Sequence, residues 1–225
     1  MELGDLELVK RIDLNSGDAL LVVDMQDDFM PGGALSVSEG NTIVPGVNAV
    51  MRLFSGLSLP IVLTQDWHPA GHRSFASAHT GKKPFDLHQE PGIGPVLWPD
   101  HCIQGTPGAG FHTDLDISAA QAIIRKGFHQ EVDSYSGFLE NDRQTSTGLD
   151  GYLKARQVSR IYVCGLALDY CVFFTASDGV DLGYEVFLLV DLSKPVGSPP
   201  ERVSQALETL KTKGVGFAIS SAFMQ

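Results

Sequence analysis

The chain reads as a three-layer α/β/α domain on a mostly parallel sheet. Three observations predict this. Short, continuous apolar runs recur along the chain, and such runs mark strands covered on both faces. Stretches with helical spacing alternate with them, as parallel strands joined by crossovers require. Polar residues with catalytic chemistry then stand at or just past the ends of the runs, the edge where open parallel sheets bind ligands.

The apolar runs are Asp18–Val23, Pro60–Thr64, Gln121–Arg125, Ile161–Cys164, Glu185–Val190 and Val215–Ile219. They predict six strands. From Asn41 to about Phe54 the residues Val44, Val47, Val50, Met51 and Phe54 keep helical spacing. Pro45 suits the first turn, where its missing N–H has no partner to lose. A short helix is expected near residues 148–156 and another after Leu168. Val203, Ala206, Leu207 and Leu210 mark a third before the last strand. Residues 1–17 read as a polar extension with an amphipathic hint at Leu3, Leu6 and Val9. Residues 69–118 and 128–147 lack periodicity, and a compact domain rarely carries such long irregular segments without a functional reason. No repeat, low-complexity tract or linker divides the chain, so residues 1–225 are expected to form a single domain. Strand order is not readable.

The 225 residues carry a formal net charge of −11. That balance argues against nucleic acid and anionic membranes as partners. Cys102, Cys164 and Cys171 have no regular spacing, so they form no disulfide framework and suit a reducing compartment. The acidic N-terminus lacks the apolar core of a signal peptide, and no run is long enough to span a bilayer. A cytoplasmic protein is expected. No Gly-x-Gly-x-x-Gly follows a strand and no phosphate loop is present, so dinucleotide binding has little support.

The stretch Gly165–Thr175, GLALDYCVFFT, follows the fourth run. With Asp169 as N-cap, Cys171 falls in the first turn of a helix. The partial positive charge and free N–H groups there favour a thiolate and offer oxyanion donors. On position alone a small buried residue is the commoner reading. Asp24 and Lys126 stand at two other strand ends. A carboxylate to take the thiol proton and a cation to hold the thiolate would complete a nucleophilic set. Taken singly, Asp24 reads as a turn residue and Lys126 as a surface lysine. Asp191 also ends a run and would share the rim.

Asp66, His68 and His101 form a second set. Two imidazoles and a carboxylate with open positions are a common site for Zn²⁺ or Fe²⁺, although Asp-x-His alone only puts two side chains on one side of a strand. His72 is expected behind that set, and His79, His88, His112 and His129 as solvated loop residues. Phe29, Trp98 and Tyr135, one from each irregular segment, can sandwich a flat apolar ligand. Each alone is more commonly a packing residue.

Five motifs then stand in register: D24-M-Q-D-D-F29, T64-Q-D-W-H-P-A-G-H-R-S-F-A76, W98-P-D-H-C-I-Q-G-T-P-G-A109, K126-G with D133-S-Y-S-G-F138, and G165-L-A-L-D-Y-C-V-F-F-T-A176. Together they resemble the nicotinamidase (pyrazinamidase) branch of the isochorismatase-like cysteine hydrolases, over residues 18 to about 220. The resemblance implies a Rossmann-like domain with a six-stranded parallel sheet. It implies hydrolysis of nicotinamide to nicotinate and ammonia through a cysteine thioester, within NAD salvage. Matched position by position, Cys171 is the nucleophile, Asp24 the acid/base and Lys126 the stabilising cation. Asp66, His68 and His101 are ligands of one divalent metal, usually zinc, with Fe²⁺ or Mn²⁺ as the other candidates. Phe29, Trp98 and Tyr135 surround the pyridine ring. The backbone N–H groups of Ala167 and Cys171, beside a cis peptide, form the oxyanion hole. Two positions depart from the pattern. Leu168 stands where threonine is common, and Asp27 where asparagine is frequent. The implied partner is a small amide, nicotinamide or pyrazinamide, and assembly into a homo-oligomer is left open. Three other readings stay open on the residues: a cysteine hydrolase of another small amide, a metallohydrolase with Cys171 structural, and a non-catalytic binding domain.

Overall fold

A computed structural model describes residues 6–223; Leu3 of the predicted amphipathic stretch lies outside them. The strands are β1 Leu8–Val9, β2 Asp18–Val23, β3 Ile61–Asp66, β4 Ala122–Lys126, β5 Arg160–Leu166, β6 Glu185–Lys194 and β7 Gly216–Ala218. The helices are α1 Val44–Gly56, α2 Leu149–Ala155, α3 Phe173–Asp181 and α4 Arg202–Thr212. All six predicted strands are present. Among the described residues every pairing between these strands is parallel, in the order β1-β7-β6-β5-β2-β3-β4.

The sheet has seven strands, not six. The extra one comes from the extension: Leu8 and Val9 pair with Phe217 and Ala218. Leu6 and Ile12 on either side are buried. Two residues are too short a run to register as an apolar strand, so the pattern that found the others missed this one.

β2 and β3 are buried along their whole length, as continuous apolar runs demand. β4, at the open edge, alternates half-buried and exposed residues instead, and buries only Lys126 at its end. α1 buries Val44, Val47, Val50, Met51 and Phe54, the five residues with helical spacing. The chain winds from β2 outward through β3 to β4, then returns to β5 on the other side of β2. The winding therefore reverses between β2 and β5. That is the switch point where a doubly wound sheet opens a crevice at its carboxyl edge.

Asp191 does not join this rim. β6 continues past it to Lys194, and between the pairs Val163–Leu188 and Gly165–Ser193 its register shifts. The shift turns Asp191 into solvent, where its carboxylate accepts bonds from the N–H and hydroxyl of Ser220.

Candidate active site

Asp24 follows β2 directly and adopts a left-handed conformation, φ 46°. This turns its carboxyl back under the sheet edge, where the Thr64 hydroxyl donates to Oδ1 at 2.6 Å. Asp66 and Lys126 end β3 and β4 and are register partners. Lys126 is fully buried and reaches four groups. Its ammonium lies 2.8 Å from Asp24 Oδ2. It also donates to Asp66 Oδ1, to the Ser134 carbonyl at 2.9 Å and to Cys171 Sγ at 3.5 Å. Lys126, which taken singly reads as a surface lysine, is the centre of a buried charge cluster, as its place in the nucleophilic set requires.

Cys171 lies in a wide π-helical turn, Leu168–Val172, that leads from β5 into α3. Asp169 is not its N-cap. Ala167 occupies that position, and the Asp169 carboxylate turns away to accept the backbone N–H groups of Val196 and Gly197, each at 2.9 Å. The Leu166–Ala167 peptide is cis. Leu168 is fully buried, so the position packs into the core. Asp27 is exposed to solvent, and its departure from the motif touches nothing in the site.

The charge balance differs from the one predicted for a helix terminus. Burial pushes the Cys171 thiol well above its ordinary pKa; Asp24 and Asp66 add to this against Lys126. The resting sulfur is therefore a thiol, and its proton must be taken by a base. Burial also lifts Asp24, to about 6, with Lys126 pulling down and Asp66 pushing up. Asp66 feels the same burial, but Lys126, His68 and His101 outweigh it and hold its carboxyl low. Asp24 is thus the carboxylate poised to exchange a proton near neutral pH.

Asp66 Oδ2 lies 3.8 Å from His68 Nε2 and 3.9 Å from His101 Nε2. Each imidazole is held through its other nitrogen. His68 Nδ1 donates to the Gly127 carbonyl and His101 Nδ1 to the Pro99 carbonyl, both at 2.8 Å. A carbonyl only accepts, so both Nδ1 atoms carry a proton and Nε2 is in each ring the nitrogen that faces Asp66. Burial keeps His68 neutral, well below its ordinary pKa. Three converging donors, two of them imidazoles held through Nδ1, fit a divalent ion. His72 packs behind, its ring 4.4 Å from that of His68, the place expected for it.

Phe29, Trp98, Tyr135, Ala167 and Cys171 line one cleft with the three metal-type residues. Trp98 Nε1 donates to the Tyr135 hydroxyl at 3.0 Å, which donates onward to the Gly94 carbonyl at 3.1 Å. Every predicted site residue therefore reaches the cleft or, for Asp24 and Lys126, the buried cluster behind Cys171. Tyr170 and Asp133 also line the cleft and were not foreseen. Asp133 is buried, with Oδ2 unpaired, and offers an oxygen within 4.8 Å of a nitrogen from each of His68 and His72. The signal was available: Asp133 opens the motif from which only Tyr135 was drawn. His79 and His88 lie in irregular segments as expected but are half-buried, their rings 4.5 Å apart.

The isochorismatase domain family matches residues 18–222. The chain belongs to the isochorismatase family. Among curated members, it is similar to a nicotinamidase of Acinetobacter baylyi, with 50% identity over 79% of this chain and 81% of that one. An Escherichia coli nicotinamidase is 40% identical over 87% of this chain and 92% of its own. Among solved family structures, an Acinetobacter baumanii nicotinamidase/pyrazinamidase superposes with a TM-score of 0.88 at 45% identity, covering 93% of this chain and 99% of that one. A pyrazinamidase of Pyrococcus horikoshii in complex with zinc gives 0.74 at 41% identity, covering 90% and 99%. An L. infantum protein in complex with nicotinate gives 0.80 at 39%, covering 95% and 98%.

Proposed function

We infer that this chain is an amidohydrolase that cleaves nicotinamide to nicotinate and ammonia. The observation that carries the reading is the convergence of Asp24, Lys126 and Cys171 in one buried cluster, behind a cleft that Cys171 lines together with Asp66, His68 and His101. Relatives named nicotinamidase at 50% and 40% identity over most of the chain support the same activity. The zinc and nicotinate found with two similar structures match the donor set and the aromatic cleft.

Phe29, Trp98 and Tyr135 enclose the flat pyridine ring. Asp66, His68 and His101 would hold one divalent ion, most readily zinc, which when bound would supply a Lewis-acid anchor for the ring and so set the amide relative to Cys171. Asp24 takes the Cys171 proton, and Lys126 keeps the shared negative charge paired. The sulfur attacks the amide carbon, and the N–H groups of Ala167 and Cys171 hold the oxyanion. Asp24 returns the proton as the C–N bond breaks and ammonia leaves. Water then attacks the thioester, giving its proton to Asp24; nicotinate departs and the sulfur recovers a proton. Three unpaired cysteines suit work in a reducing cytosol, where the reaction would serve NAD salvage.

The test is ammonia release from nicotinamide, run beside Cys171→Ala and a metal-stripped sample. Turnover should vanish in Cys171→Ala while bound metal is retained, and should return to the stripped sample when zinc is restored. Turnover by Cys171→Ala would overturn the thioester route and favour a metallohydrolase with Cys171 structural.

A further inference from the structure

We propose that His79, His88 and Glu90 form a second zinc site, separate from the catalytic cleft. One donor atom from each of the three lies within 4.8 Å of the others. The backbone prepares the set. Leu87 bridges Val96 and Glu90 bridges Ile93 in an antiparallel ribbon. His88 and Glu90 are two residues apart on that ribbon and share one face. His79 comes from the end of the 3₁₀ turn Ala76–Ala78, its N–H bonded to the Ala76 carbonyl.

The side chains are oriented as metal ligands are. His79 Nε2 donates to the Arg73 carbonyl at 2.7 Å, so Nδ1 is the nitrogen available to a metal. His88 Nε2 is buried with no hydrogen-bond partner and lies 3.5 Å from Glu90 Oε1. Arg73 forks onto Glu90 with bonds of 2.7 and 2.9 Å to its two oxygens, fixing the carboxylate plane. Two imidazoles and an oriented carboxylate, with water as the fourth ligand, match zinc chemistry. Zn–N bonds of about 2.1 Å put tetrahedral donors roughly 3.4 Å apart, close to the 3.5 Å that already separates His88 Nε2 from Glu90 Oε1. The ion would pin the ribbon to the turn beneath it. That ribbon carries Gly94, which accepts the Tyr135 hydroxyl, and the segment leading into it carries Phe85, whose ring meets Trp98 edge-on at 5.9 Å. The site would thus brace the outer wall of the cleft.

The experiment is zinc content per folded chain after dialysis against excess zinc and removal of free ion. Wild type should hold one zinc more than His79→Gln/His88→Gln, which should still release ammonia from nicotinamide. Equal zinc in the two would overturn the proposal. Should that variant fail to fold, Asp66→Ala/His68→Ala supplies the converse: it leaves the second set intact and should keep one zinc per chain. Its binding none would overturn the proposal equally.

Discussion

Asp24 and Asp66 show how burial and partners divide two like residues into two roles. Both are buried beside the same ammonium. Asp66 also faces two imidazoles and is held low, while at Asp24 burial, with Asp66 adding to it, outweighs Lys126 and Thr64 and lifts the carboxyl to about 6. The proposed base must be ionised to take the Cys171 proton. Its raised pKa therefore costs activity on the acid side: as pH falls through about 6, Asp24 protonates and kcat/KM should fall with it. A pH profile of kcat/KM checks this, and a profile flat down to the ordinary carboxylate range would assign the base elsewhere. Asp24→Asn keeps the volume and removes the proton acceptor. It should lower kcat by roughly 10²–10⁴-fold, the usual range for a lost general base, while leaving zinc content unchanged.

At the scale of elements, the site depends on where strands end. Asp66 and Lys126 meet because β3 and β4 stop in register, and Gly127 then turns the chain at φ 64°. That turn aims the Gly127 carbonyl at His68 and leaves no room for a side chain: a Cβ would stand 2.5 Å from His68 Cε1 and 2.7 Å from Nδ1. Gly127→Ala should tilt the imidazole and loosen its orienting bond. Losses of such outer partners cost about 10–100-fold in metal affinity, so competitive zinc titration should show a loss of that order with the sheet intact by circular dichroism. Unchanged affinity would mean that His68 is positioned by something else. Residue chemistry at strand ends was legible in the sequence because the strands are continuous apolar runs, as at Asp18–Val23 and Glu185–Val190, with polar residues breaking them. The ends themselves were less legible. β6 runs on to Lys194 through a register shift, which no period-2 pattern encodes, and so Asp191 was misplaced. Asp169 was misread as a cap because its partners, Val196 and Gly197, lie far along the chain. The thiol state of Cys171 escaped for the same reason: a helix terminus is a local feature, whereas burial and two nearby carboxylates are tertiary ones.

For the whole molecule, the strand order separates stability from chemistry. The cleft is built on β5, β2, β3 and β4, whereas β1 lies at the far edge beyond β6 and β7. The first strand nonetheless belongs to the fold. Leu6 and Ile12 are 9% and 8% exposed, and the Ile12 N–H bonds the Ala222 carbonyl at 2.9 Å. Burying two such side chains contributes roughly 3–6 kcal/mol, and removing β1 also bares the edge of β7 to solvent. In a domain of this size, 1 kcal/mol moves Tm by about 2–4 °C. Deleting residues 1–12 should therefore lower Tm by roughly 10 °C while turnover of nicotinamide per folded chain stays at the wild-type level below the transition. Thermal unfolding and ammonia release on the same preparation measure both. A parallel loss of kcat would show that the edge strand transmits strain across the sheet to the switch point. An unchanged Tm would show that the seventh strand is an accessory to a six-stranded core.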